Sequence, residues 1–274
     1  MHSRTDTLDL AQPCVMGIVN VTPDSFSDGG LYVTPAQALQ RIEQLIEEGA
    51  SIADIGAEST RPGSVAISED LEWKRLGPIL KELYRHPLPL WISIDTSKSG
   101  IAQRALDLGV HIINDVTALS DDETAFGIAR HKAAVVLMHG YLEHTGADTK
   151  TDVCSFLQQR VVFAQACGIS KTRIVLDPGI GFGKNTQENI SATHQLPTLV
   201  ASGSPVLYGP SRKRFLGEIL GRTHTHAHPE QRDAATAAAC VMAFLQGARL
   251  FRVHDVVSTV DSLRVAQAMR YTLW

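Results

Sequence analysis

Eight short apolar runs rich in Val, Ile and Leu recur along the chain, at 15–20, 51–56, 90–96, 111–116, 134–140, 173–179, 205–211 and 250–256. Stretches of helical pattern separate them, among them 35–48, 69–84, 101–108, 152–167 and 231–246. Repeated strand–helix units call for a parallel sheet covered by helices. Eight units in 274 residues predict a closed (β/α)8 TIM barrel, which typically takes ~250 residues. A doubly wound open sheet would need fewer strands or a second domain. No linker, low-complexity tract or shift of composition divides the chain, so residues 1–274 are expected to form one α/β domain.

The polar residues are placed as regularly as the apolar ones. The runs end in Asn20, Asp54, Asp95, Asn114 with Asp115, His139, Asp177, Ser211, and Arg252 with His254. In a barrel these C-terminal strand ends converge on one face, where active sites lie. One polar strand end means little. Carboxylates, amides and bases at nearly every one predict a ligand pocket.

Composition narrows what the ligand can be. The net charge of -4 gives no bulk attraction to nucleic acid or to an anionic membrane, though a local site for a small anion remains open. The opening "MHSRTDTLDLAQP" has no apolar signal core, and no apolar stretch approaches the ~20 residues of a membrane span. Cys14, Cys154, Cys167 and Cys240 lack metal-ligand spacing and read as reduced thiols of a cytoplasmic protein.

Several segments carry more specific chemistry. "MGIVNVTPDSFSDGG" (16–30) passes from a strand into carboxylates, hydroxyls and an amide; a solvated turn is the plain alternative. In "GAESTRPGS" (56–64), Arg61 could clamp an anion in bidentate fashion or simply pair with Glu58. Asp95 and Asp177 suit a partner that donates hydrogen bonds in parallel, such as an aminopyrimidine edge; helix capping or an internal ion pair competes with that reading. "VLDPGIGFGK" places Gly179, Gly181 and Gly183 around Phe182 and before Lys184, a weak signal for a phosphate cradle. In "GPSRKRFLG", Arg212, Lys213 and Arg214 cannot all point inward. Strand alternation puts Arg252 and His254 of "FRVHDV" on one face, spaced for a joint pyrophosphate contact. His224, His226 and His228 alternate as a metal site could, but a polar loop is preferred because no carboxylate or cysteine stands beside them at ligand spacing.

Taken together, "MGIVNVTPDSFSDGG", "DIGAESTRPGS", "ISIDTSK", "HIINDV", "VLDPGIGFGKN", "GPSRKRFLG" and "RVHDV" resemble the dihydropteroate synthases of folate biosynthesis, over nearly the whole chain. The resemblance implies a transferase that joins (7,8-dihydropterin-6-yl)methyl diphosphate to 4-aminobenzoate and releases diphosphate. It implies a pterin pocket of Asp95, Asn114, Asp177 and Lys213 with Met138 on its outer wall. Asn20 would be the protein ligand of Mg2+, and Arg252 and His254 the diphosphate anchors. Phe26, Thr60, Arg61, Pro62, Phe182, Ser211 and Lys213 would hold the aminobenzoate, where sulfonamides should compete. Asp28 would order the first loop, giving Asp28, Asp95, Lys213 and Arg252 as the catalytic set. Members pair as homodimers through late helices; the apolar segment 234–245 could serve such an interface or simply pack on the barrel. Two departures stand out: "MHGYLEHTGADTKTD" follows the fifth strand where members commonly have Met-Gln-Gly after the His, and Arg214 stands where many have Ser. Another pterin-binding barrel, such as a methyltransferase domain, would share the carboxylates but has no need of "ESTRPG", "SRK" or the Arg252/His254 pair.

Overall fold

The computed structural model describes residues 1–4, 6–22, 34–59, 65–140, 152–222 and 228–271. A small antiparallel hairpin, β1 (His2–Ser3) with β2 (Asp6–Thr7), opens the chain. Eight parallel strands follow: β3 (Cys14–Asn20), β4 (Ile52–Gly56), β5 (Trp91–Asp95), β6 (Ile112–Asp115), β7 (Ala134–Met138), β8 (Ile174–Asp177), β9 (Leu207–Tyr208) and β10 (Leu250–Val253). They pair in the order β8-β7-β6-β5-β4-β3-β10-β9. A parallel bridge between Leu176 and Val206 joins the two ends, with Leu176 N donating to Pro205 O at 2.9 Å. The sheet therefore closes into the expected barrel.

Helices fill each return: α1 (Pro35–Glu47), α2 (Glu69–Arg85), α3 (Ser99–Asp107), α4 (Asp122–His131), α5 (Val153–Ala166), α6 (Thr186–His194), α7 (Leu196–Ala201), α8 (Arg214–Ile219), α9 (Asp233–Leu245) and α10 (Val256–Tyr271). Local chemistry sets their starts. Thr34 and Gln37 form a reciprocal capping box with Pro35 in the first turn, and Asn185 with Glu188 does the same for α6. α2 continues through Pro78, which costs it one backbone hydrogen bond. Except for β3, the strands are shorter than the apolar runs. β9 stops at Tyr208 because Gly209-Pro210 follows, and proline has no N–H for a ladder.

Strand alternation sorts the side chains into two cores. Outward residues such as Val19, Ile55, Ile94, Val135, Leu176 and Phe251 pack beneath the helices. Inward residues, including Met16, Ile52, Trp91, Ile112, Val175, Leu207 and Leu250, form a separate apolar plug at the N-terminal end, with Met1, Leu8 and Leu10 packed on it. The hairpin is tied there by Arg4, whose N–H donates to Lys132 O at 2.6 Å and whose guanidinium donates to Leu106 O at 3.3 Å. Two residues further along several strands the inward positions become Asp54, Ser93, Asn114, Asp177 and Arg252. The same parity that builds the plug thus builds the site.

Candidate active site

Arg252 of β10 reaches across the barrel to two carboxylates. Its Nε donates to Asp54 Oδ2 at 2.6 Å and its Nη2 to Asp95 Oδ2 at 2.7 Å. Asn114 Nδ2 donates to the same Asp54 oxygen at 3.1 Å. Asp54 is fully buried, yet its Oδ1 and that of Asp95 have no hydrogen-bond partner among the described residues. Two carboxylates on one guanidinium leave this cluster net negative. Burial pushes the Asp95 carboxyl up to about 7, with Arg252 opposing and Asp54, Glu72 and Asp115 adding to the rise. The two carboxylates hold the Arg252 guanidinium above its ordinary range against the effect of burial. Asp54 is a polar strand end to which the sequence pattern alone gives no specific role. Its signal is a carboxylate at an inward position of an otherwise apolar strand.

The β8 side carries the second group. Asp177 is buried and raised by that burial, with Lys213 pulling the other way. Its Oδ1 accepts the Gly179 N–H at 2.7 Å. Lys213 lies over the Phe182 ring at 4.4 Å and donates to Ile180 O. Burial lowers its ammonium to about 7 despite Asp177. Lys184 donates to the carbonyls of Gly179 at 2.9 Å, His139 at 3.0 Å and Phe182 at 3.2 Å, so it staples the loops after β7 and β8 together. Gly179 has φ +67°, and a Cβ there would stand 1.9 Å from His139 O. Only glycine fits that approach. The Gly179 and Gly181 amides are taken by Asp177 and Asn189, so this stretch shapes the walls around Asp177 and Lys213 instead of offering those amides as a phosphate cradle.

Of the three consecutive bases, Lys213 turns inward, Arg212 forms a bidentate pair with Asp233 at 2.8 Å, and exposed Arg214 pairs with Glu218. Ser211 Oγ lies 2.9 Å from His254 Nδ1 and accepts the His254 N–H at 3.1 Å. Met138 ends β7 opposite Asp177, and Asn20 is the exposed last residue of β3. Asp115 turns to local work, accepting from the Thr117 and Leu119 N–H groups at 2.8 and 2.7 Å. Phe26, Asp28, Thr60, Arg61, Pro62, His224 and His226 lie outside the described residues. His228 is exposed beside Glu230, and no group of His, Cys, Asp and Glu among the described residues could hold a metal ion.

A barrel whose polar end gathers three carboxylates, an amide, a lysine and an arginine has well-characterised counterparts. The pterin binding enzyme family matches residues 16–254. A dihydropteroate synthase of Neisseria meningitidis serogroup C is 42% identical, with 97% of this chain and 96% of the relative covered. One from Bacillus subtilis is 38% identical over 98% and 93%. Among solved structures, the Yersinia pestis dihydropteroate synthase with a sulfonamide drug complex superposes with a TM-score of 0.89 at 38% identity, covering 99% of both chains. The Xanthomonas albilineans dihydropteroate synthase with 4-aminobenzoic acid gives 0.87 at 44% identity, covering 96% and 95%, and the same enzyme has been solved with 7,8-dihydropteroate. On its sequence, its fold and the chemistry of its polar end, this chain belongs to the pterin-binding enzymes and, among them, to the dihydropteroate synthases.

Proposed function

We propose that this chain condenses (7,8-dihydropterin-6-yl)methyl diphosphate with 4-aminobenzoate, giving 7,8-dihydropteroate and diphosphate. The observation that carries the reading is the set of buried carboxylates at the strand ends, two of which keep an oxygen without a partner among the described residues. Buried acceptors of that kind cost stability unless a ligand supplies donors. The aminopyrimidine edge of a pterin offers parallel N–H groups to Asp95 and Asp177. Asn114 is held by Asp54 at the same end, and Lys213 donates to the pterin carbonyl oxygen.

The chemistry then needs charge management more than proton transfer. Loss of diphosphate leaves the pterin methylene electron-poor, and the nearby carboxylates stabilise that charge. Arg252 gives the Nε–H to Asp54 and one Nη2–H to Asp95, so both N–H groups of Nη1 and the second of Nη2 are left for the departing group. His254 Nδ1 faces Ser211, so the ring is held near the strand ends for the same task. The arylamine attacks with its own lone pair, and no strong general base is required. Phe182 beneath Lys213 is an apolar wall for its ring. By the family resemblance, Phe26, Thr60, Arg61 and Pro62, all outside the described residues, would add to that wall, and Asp28 would order the first loop.

Mg2+ suits this donor set. It takes oxygen ligands, keeps several waters and is commonly shared with substrate phosphates. Asn20 offers one amide oxygen at the rim of the barrel. Bound there, the ion would neutralise the charge of the leaving diphosphate. The working unit we propose is a cytoplasmic homodimer. Met242 and Leu245 of α9 and Val265 and Met269 of α10 expose large apolar side chains in the late helices. All four cysteines are free, and no described helix is long and apolar enough to cross a membrane.

The test is product formation by the purified chain with Mg2+ and the pterin diphosphate, with and without 4-aminobenzoate. One diphosphate released per dihydropteroate, dependent on aminobenzoate, is the expected result. Pterin binding without product would move the chain to a binding role.

A further inference from the structure

A second charge cluster stands beside the pterin groups, and the reaction as derived makes no use of it. Lys98 immediately precedes α3, and its Nζ donates to Glu58, just past β4, and to Glu72 Oε2 of α2 at 2.7 Å. Glu72 is fully buried, and its other oxygen accepts the Thr96 hydroxyl at 2.7 Å. Glu58 also closes a loop, because its Oε1 accepts the backbone N–H of Ile67 at 3.0 Å. Residues 58 and 67 bracket the segment that carries Thr60, Arg61 and Pro62. Arg75 of α2 adds a further tie, donating to Ala57 O at 2.7 Å, and Glu69 accepts the Gly100 N–H at 3.3 Å across the starts of α2 and α3.

A surface loop needs no such anchorage, and an exposed ion pair would contribute little. Here the pair is mostly shielded, with Lys98 and Glu58 side chains 20% and 19% exposed. Without Lys98, Glu72 would be an uncompensated buried charge, and Glu58 would lose the partner that aims it at Ile67. Such bracing is warranted where the loop has a geometry to keep, since a displacement of about 1 Å far from the chemistry can cost ~100-fold in rate.

We infer that Lys98 is a positioning residue for the arylamine half of the site: through Glu58 and Glu72 it pins both ends of the loop after β4 to α2 and α3. This inference rests on the condensation reading above, and it gives Lys98, Glu58 and Glu72 a part in aminobenzoate specificity without contact to either substrate.

The experiment compares Lys98→Met, Lys98→Arg, Glu58→Gln and the double variant Lys98→Met/Glu72→Gln, which leaves no fully buried charge without a partner. In Lys98→Met and the double variant, KM for 4-aminobenzoate should rise about tenfold or more, while Kd for the pterin diphosphate stays within about twofold. Glu58→Gln keeps an acceptor for Ile67 and should fall between them and wild type, and Lys98→Arg should recover most of the loss. Hydrogen exchange at the Ile67 amide should quicken by about tenfold in Lys98→Met, a readout that needs no turnover. A folded double variant with wild-type aminobenzoate KM and Ile67 exchange overturns the inference, as does an equal rise in the constants of both substrates. If the wild type made no dihydropteroate, the functional reading would fail by itself. The Ile67 exchange would then decide the clamp, faster exchange upholding it and unchanged exchange overturning it.

Discussion

The two ends of this barrel stand on the same strands, with the same inward parity, and differ by a step of two residues. At the N-terminal end Ile52, Ile112, Val175 and Leu250 close the interior as an apolar plug. One step on, the same strands present Asp54, Asn114, Asp177 and Arg252. The plug shows that closing a barrel of this size needs no buried charge. Burying a carboxylate costs several kcal/mol after relaxation unless it is well paired, and one arginine between two carboxylates offsets only part of that here. The polar end is therefore held at the expense of stability, and a ligand is what makes up the difference.

The largest expected effects separate the ends by kind. Lys213→Met should lower kcat/KM by about 10²–10³-fold, the loss expected when one member of a buried charge constellation is removed, with thermal stability unchanged or improved. Met16→Ala in the plug should cost ~2–5 kcal/mol in denaturant unfolding, with KM values near wild type. Were the plug variant inactive but stable, or the Lys213 variant unfolded, the division between the ends would fail.

The pH dependence sharpens the contrast. Asp95 accepts N–H donors when ionised and sits near 7, so kcat/KM should rise with pH up to about that value. Lys213 is charged below about 7, so activity should fall above it, giving a bell with both limbs near neutrality. Stability should follow the opposite course. The native Asp95 binds its proton more tightly than in the unfolded chain, so its contribution falls as pH rises from 3.8 towards 7. The native Lys213 binds its proton less tightly, so stability recovers between about 7 and 10.5. The site should thus weigh most on the fold where it works best, and Lys213→Met should remove the alkaline recovery. The smallest effect belongs outside both ends: Arg214→Ser, which removes an exposed pair with Glu218, should change stability by less than about 0.5 kcal/mol and activity by less than twofold.

Much of this was legible in the sequence because periodicity carries it. The eight runs marked the eight strands, and polar strand ends marked the face of the site. What periodicity cannot show is which groups meet across the barrel. Asp54 and Arg252 are 198 positions apart, and their 2.6 Å contact depends on the shear of a closed sheet. Strand alternation places Arg252 and His254 on one face, but it does not show the two carboxylates that Arg252 also meets or the Ser211 that lies against His254. Nor does it show that the Gly179 and Gly181 amides, a weak phosphate-cradle signal, go to Asp177 and Asn189. The hairpin β1–β2 had no signal at all, since strands of two residues show no alternation.

Asp177 gives the most direct test of the account. Asp177→Asn is isosteric and keeps an oxygen for the Gly179 N–H, so it removes the charge and little else. Pterin diphosphate affinity by titration calorimetry, measured beside thermal unfolding, separates the two roles a buried carboxylate can have. The account predicts a roughly ten- to hundredfold loss of affinity, the scale of a hydrogen bond to a charged group, with no loss of thermal stability. Unchanged affinity together with a lowered Tm would contradict it, and would make Asp177 a structural residue of the barrel.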